Sequence, residues 1–215
     1  MANLIIKSSA DNLVLQGSDA SPAITVGATG TTTFAENATL SGSANVLGTI
    51  NPTGTTFPAG HILQTVQVTK LDTWTHSANT SNFYFITGME KSITLYNANN
   101  KVLVTVNLMV GCQNDGYLHY KVQRNSVDLP VGNARASCTR CLFTTNMDDS
   151  HGENEIMYTG ITYLDDPSES SITSLVYKAW ARSGNGTQYV NQCHAGSDIN
   201  RGAPISTMTL QEIVV

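Results

Sequence analysis

The sequence predicts an all-β chain in two parts, and three observations predict it. Short apolar runs rich in Val, Ile and Thr recur along the chain, bounded by Gly, Asn, Asp and Pro. No stretch holds a helical 3.6-residue apolar period beyond one turn. Composition also changes abruptly near Thr56. The first 56 residues carry four charged side chains (Lys7, Asp11, Asp19, Glu36) and one aromatic, Phe34, while every other aromatic residue lies at Phe57 or later. Together these indicate an extended, Gly/Thr-rich β stem over 1–56 and an antiparallel sandwich over 57–215.

The sandwich is argued best from the run KVLVTVNLMV at 101–110. It contains no Gly or Pro and is dense in β-branched residues, which are stiff in helices and suit a pleated sheet. At period two, Val102, Val104, Val106, Leu108 and Val110 make an uninterrupted apolar face. The opposite face reads Leu103, Thr105, Asn107, Met109. Further strands are expected at 62–69, 83–86, 92–96, 117–124, 137–144, 156–164, 173–182, 188–192 and 206–215. Breakers separate them: 97–100, Asn114-Asp115-Gly116, 148–153, Asp165-Asp166-Pro167 and Gly184-Asn185-Gly186. About ten antiparallel strands joined by short turns, with no helix, form a two-layer sandwich, and the size suits a jelly roll. Leu118, Tyr120, Val122, Leu175, Tyr177 and Ala179 are expected to meet the Val102–Leu108 face in its core.

The first part is different. Its apolar beats (Leu4-Ile5-Ile6, Leu13-Val14-Leu15, Ile24-Thr25-Val26, Thr32-Thr33-Phe34, Leu40, Val46-Leu47) are short and separated by Gly. A segment of this size without large side chains cannot bury enough surface to offset chain entropy. It is either a linker or a set of strands that pair with identical chains in a thin stem, and the regular beats favour the stem. Asn51-Pro52-Thr53-Gly54-Thr55-Thr56 is the hinge.

Composition narrows function. Charged residues make up 13% of the 215, against roughly 25% in ordinary domains, and the formal net charge is −5. No basic stripe is present for nucleic acid or an anionic membrane surface. No run approaches the ~20 apolar residues of a membrane helix. The opening MANLIIKSSADNLVLQG lacks the charged and apolar regions of a signal peptide, so the chain is expected to be made in a host cytoplasm. GxSxG, HExxH and phosphate-loop patterns are absent, and neither an enzyme nor a cofactor is expected.

Three constellations need weighing. Cys138-Thr-Arg-Cys141 is a CxxC, and Cys193-His194 could be imagined beside it. The pair lies in a strand-like run, where alternation sends the two thiols to opposite faces, so packing thiols are expected rather than a metal or redox site. The polar cluster from Asp148 and Asp149 through His151 to Glu155 reads as a solvated hairpin tip, against a cation site or a ligand-contacting loop. Trp74, Trp180, Tyr117, Tyr163 and Tyr189 are core or interface residues, or parts of a carbohydrate or receptor surface.

Three stretches carry a resemblance: the opening MANLIIKSSADNLVLQGSDASPAITV, the junction FPAGHILQTVQ from Phe57, and the close STMTLQEI from Ser206. They resemble virion fibre proteins of tailed bacteriophages, of the marine and cyanobacterial type. The resemblance implies a homotrimer with an N-terminal stem and a jelly-roll knob similar to the C1q and tumour-necrosis-factor folds. It implies a tail fibre or spike whose knob contacts a host surface glycan or protein. A capsid decoration or head fibre protein is the alternative, and a glycan depolymerase a third reading. Attachment to other virion proteins then falls to the first segment, through Leu4, Ile5, Ile6, Leu13 and Leu15. Host contact is expected at the loop residues Asn114, Asp115, Tyr117, Asp148, Asp149 and His151, although the acidic loop at Asp148 and the Cys138–Cys141 pair are not part of the resembling pattern. In a trimer the mixed face Leu103, Thr105, Asn107, Met109 is expected at the interface, with Asn107 needing a hydrogen-bond partner from a neighbour.

Overall fold

The computed structural model describes residues 57–77, 82–113, 116–147, 155–171, 174–184, 186–194 and 202–215, together with the backbone of three strands nearer the N-terminus. The chain forms two compact units, Met1–Ile50 and Asn51–Val215. In the first, β1 (Leu13–Gln16), β2 (Pro22–Val26) and β3 (Thr32–Phe34) make an antiparallel sheet in that order. Three of the short apolar beats thus become strands. Within this chain each pairs with the next, an antiparallel partner a turn away. Leu13 and Leu15 lie on β1. Leu4, Ile5 and Ile6 lie outside the described residues.

The second unit holds β4 (Ile62–Lys70), β5 (Trp74–His76), β6 (Tyr84–Thr94), β7 (Lys101–Cys112), β8 (Gly116–Arg124), β9 (Val127–Asp128), β10 (Phe143–Met147), β11 (Met157–Asp165), β12 (Ser174–Ser183), β13 (Gln188–Val190) and β14 (Ser206–Ile213). No helix occurs among the described residues, and none is long and apolar enough to cross a membrane. Among the described residues all strand pairings are antiparallel. One sheet runs β10-β8-β12-β6, with β9 also on β8. The other runs β4-β14-β7-β13-β5, with β11 on the remaining edge of β7.

β7 organises the second sheet. β11 pairs with it from Val102 to Val110, while β14 and then β13 lie end to end along its other edge. Where β14 hands over to β13, Met109 donates its N–H to the Ser206 hydroxyl at 3.0 Å and accepts from Asn191 N–H at 2.8 Å. Ser206 in turn donates to the Asn191 carboxamide oxygen, and the Asn191 NH₂ donates to the carbonyls of Lys70 and Asp72. Buried Ser and Asn side chains therefore complete a ladder that no single strand completes.

The two sheets enclose one core. Val102, Val104, Val106 and Leu108 pack in a single buried cluster with Leu118, Tyr120, Val122, Leu175, Tyr177 and Ala179, as alternation predicts, and Met208 and Leu210 join them. The fold is an all-β, antiparallel, two-layer sandwich.

Two strand expectations need correction. The runs at 83–86 and 92–96 are parts of one strand, β6, interrupted by a bulge. Lys178 faces Glu90 while Trp180 faces Phe85, so β6 carries extra residues there. Gly88 takes φ +86 at the turn of the bulge. The irregularity lets both Ile86 and Met89 point into the core. It also pushes the Thr87 carbonyl out to accept from the buried Lys70 ammonium at 2.8 Å, which is paired with Asp72. The second correction concerns 137–144. Only Phe143 onward is strand. Before it the chain makes a turn (Cys138 N–H to Arg135 C=O, 2.9 Å) with Ala136 at φ +45, so strand alternation does not govern the CxxC.

Candidate functional site

The outer face of the second sheet is a broad candidate site. Its side chains fall into rows across β4, β14, β7 and β11: Thr65, Gln211, Leu103, Leu164; then Gln67, Thr209, Thr105, Thr162; then Thr69, Thr207, Asn107, Gly160; and finally Met109 beside Tyr158. None of these positions carries a charge. Cross-strand hydrogen bonds lace it together, from Gln67 to Thr209 (2.8 Å), from Gln211 to Thr65 (3.2 Å), and between Thr105 and Thr162 (3.3 Å). Leu103 and Met109 are half-buried within the chain, and Tyr158 is 64% exposed. The sequence identifies the β7 contribution. It misses the larger share from β4 and β14, although STMTLQEI and ILQTVQVTK alternate as clearly as β7 does.

One expectation on this face is corrected. Asn107 does not need a neighbouring chain to satisfy its side chain. Its carboxamide oxygen accepts from the Tyr158 hydroxyl at 2.7 Å, and its NH₂ donates to Thr207 at 3.4 Å. The cause is Gly160, opposite Asn107 on β11. A Cβ there would collide with the Val106 carbonyl, and the Tyr158 hydroxyl lies 3.1 Å from that position.

Tyr117 sits at the far end of the sandwich from residues 57–61. It begins β8, is 61% exposed, and accepts from Gly184 N–H at 2.9 Å. The end of β7, the end of β10, the start of β11 and the end of β12 all reach this same end. Asn114, Asp115, Asp148, Asp149 and His151 lie outside the described residues.

A cleft of about 210 Å³ opens between the sheets at the opposite end, lined by Arg124, Val127, Asp128, Leu129, Pro130, Tyr163, Asp165 and Asp166. Asp165 ends β11 and is buried, although the sequence reads it as a turn residue. It accepts from Arg124 Nη1 at 2.5 Å and from the Tyr177 hydroxyl at 2.7 Å. Burial and then this bond to Asp165 push the Tyr177 phenol far above its usual range. Burial works against the Arg124 charge, but the hydrogen bond and charge of Asp165 outweigh it and raise the guanidinium pKa. On the rim Asp128 is bound by Lys121 and Gln123, and Asp166 by Lys101 and Ser168. On its β8 side the cleft is bordered by β9, which is two residues long, and by Pro130, which has no N–H to continue the ladder with β8.

The CxxC thiols are free. Cys138 is exposed and Cys141 half-buried. Cys141 Sγ lies 3.9 Å from His119 Nδ1, which is also 3.2 Å from the Thr144 hydroxyl. Burial pushes the Cys141 thiol up and, with the Arg182 charge second, pushes His119 down. Both shifts oppose a thiolate–imidazolium pair. Among the described residues no group of three His, Cys, Asp or Glu is placed to hold a metal ion. With iodoacetamide near pH 8, Cys138 is expected to react about tenfold faster than Cys141, since the reagent attacks the thiolate. Equal rates by peptide mass mapping would contradict this environment.

The aromatic residues do not form one surface. Trp74 stacks with His76, Trp180 lies beside Phe85 under the Lys121 ammonium, Tyr163 lines the cleft, and Tyr189 is buried against His194.

No family model and no curated protein matches the chain. Among solved structures it is similar to one described as the crystal structure of the infectious bursal disease virus VP2 subviral particle, at 12% identity and a TM-score of 0.34, over 80% of this chain and 42% of that one, so the chain spans less than half of that protein's length.

Proposed function

We propose that the chain is a non-enzymatic structural virion protein that works as a homotrimeric fibre or spike of a tailed phage. The observation that carries the trimer is the outer face of the second sheet, uncharged across the rows from Leu103 to Met109 of β7. The centres of protein interfaces are depleted of charged side chains, and this face, laced flat by Thr, Gln and Asn, has that composition. Two further observations support the reading. Numbering the eight long strands in chain order (β4, β6, β7, β8, β10, β11, β12, β14), the sheets read 1-8-3-6 and 2-7-4-5, the order of a jelly roll. The three sequence stretches that resemble phage fibre proteins lie at the opening, at the junction and on β14.

On this reading the first unit attaches to the particle and the far end, around Tyr117, meets the host. A depolymerase is disfavoured by the cleft, whose buried carboxylate is already committed to Arg124 and Tyr177, whereas glycan cleavage needs two carboxyl groups facing the scissile bond.

Light scattering should find a mass three times the 23.0 kDa chain. Thr105→Arg and Thr209→Arg place charges in the middle of the face. Each is expected to lower the mass to one chain while the strand circular dichroism signal persists. A wild-type mass of one chain would remove the proposal. Labelled Val215 located by microscopy on particles separates a tail fibre from a capsid decoration.

A further inference from the structure

We infer that the cleft between β9 and β11 binds one ring of a neutral saccharide. The inference concerns a site at the other end of the sandwich from Tyr117, so it does not depend on the far end meeting the host.

Size comes first. At about 210 Å³ the cleft is below the ~300 Å³ at which sites for drug-sized ligands begin, so its occupant is small. Charge comes next. Asp165 is neutralised by Arg124, Asp128 by Lys121 and Asp166 by Lys101. A metal cation would have to displace ammonium or guanidinium groups, and an anion would face three carboxylates. An uncharged ligand meets neither cost.

Polarity then selects among uncharged ligands. A hydrocarbon would strip water from the Asp128, Asp166 and Arg124 groups without replacing its hydrogen bonds. A ring bearing several hydroxyls replaces them. Each carboxylate oxygen keeps acceptor capacity beyond its lysine. Arg124 has five N–H donors, of which one is bonded to Asp165. Leu129, Pro130 and Tyr163 offer the apolar wall that the C–H face of a sugar needs.

The floor is already rigid. Asp165, buried, is fixed from one side by Arg124 of β8 and from below by Tyr177 of β12, so three strands hold the guanidinium in place before a ligand arrives. Such preorganisation lowers the ordering cost that otherwise cancels weak polar contacts.

The test uses the full chain and saturation-transfer NMR, which reads millimolar binding. The probes are methyl α-glucoside, methyl α-mannoside, methyl β-galactoside and N-acetylglucosamine, with glucuronate as the charged control. At least one neutral sugar is expected to receive saturation, and glucuronate much less. Val127→Trp fills the mouth from an exposed position and should weaken binding about tenfold or more. Asp166→Asn, also exposed, should weaken it severalfold, and it serves if the tryptophan variant does not fold. No transfer to any neutral sugar at roughly 20 mM, far above millimolar affinity, overturns the inference. So does transfer that both variants leave unchanged. A changed solution mass for Val127→Trp with unaltered sugar binding would assign the cleft to a second copy instead. Adhesion of the protein to host cells is measured in parallel. Adhesion without cleft binding removes only this inference, and cleft binding without adhesion removes only the host-contact reading.

Discussion

Glu212→Ala is expected to destabilise the sandwich by about 3 kcal/mol or more, the cost of leaving several buried donors unmet. Glu212 is on β14 with its side chain inward and fully buried. Its Oε1 accepts from Tyr96 N–H (2.8 Å), Asn97 N–H (3.3 Å) and Asn100 Nδ2 (2.7 Å), and its Oε2 accepts from Gln64 Nε2 at 2.6 Å. One carboxylate thus fixes the loop between β6 and β7 and ties it to β4. Alanine removes every acceptor and leaves the donors inside the protein. Glutamine keeps the shape but puts an NH₂ on one side, where it meets either the backbone donors or the Gln64 amide. Turning Gln64 around would forfeit its bond to the Thr94 carbonyl. Glu212→Gln should therefore cost about 1–3 kcal/mol. At roughly 2–4 °C per kcal/mol for a chain of this size, alanine lowers the melting temperature by about 6–12 °C. Urea denaturation of both variants checks the order. An alanine variant as stable as wild type would mean that the loop finds other acceptors.

Gly111→Ala is the second large effect, at about 3 kcal/mol, the upper range for forcing extra volume into a packed site. Gly111 lies near the end of β7 opposite Tyr189. A Cβ there would stand 2.5 Å from the Gln192 carbonyl oxygen and 2.9 Å from Cys193 Cα. Both are backbone atoms, so no side chain can rotate away. The chain passes this close because it turns back over β7 straight after β13, with Asn191 at φ +62. Relief requires β13 to leave β7. The readout is therefore specific: Cys193, buried in the wild type, should become reactive to a maleimide as stability falls. A stable alanine variant with Cys193 still protected would show that the turn can shift without loss.

How far the sequence reaches depends on the range of the interaction. The alternation of Val102 to Val110 is local, and it places β7 and its core face without any tertiary knowledge. The opposing core residues on β8 and β12 follow from the same rule. The gap left between the runs 83–86 and 92–96 misleads: pairing with β12 on either side of Gly88 holds β6 together through a bulge. The segment before Phe143 misleads in the reverse direction. Its small and β-branched residues suit a strand, but the chain there crosses between elements and turns on Ala136. The cleft and the Glu212 site are illegible for a different reason. Asp165 meets Arg124 from 41 residues away, and Glu212 meets Gln64 from 148. No periodicity records such pairs. Both carboxylates sit where a strand meets a loop, where a sequence reading expects solvated polar groups. What does point to Glu212 is its inward phase on β14, shared with Met208 and Leu210, which makes a charge an anomaly in need of partners.

The neighbouring positions of β4 and β14 set how the sandwich bears force. Gly60 N–H donates to the Val214 carbonyl and Val214 N–H to that of His61, so residues 60–61 and 214 lie side by side at one end of an antiparallel ladder. Tension between those residues opens the ladder like a zipper, one pair at a time. Tension between residue 57 and the far end at Tyr117 runs along the strands instead. It loads the β4–β14 and β14–β7 ladders in shear, where many hydrogen bonds must fail together. A tether that holds this unit near residue 57 while its far end is gripped pulls on it in its mechanically strong direction.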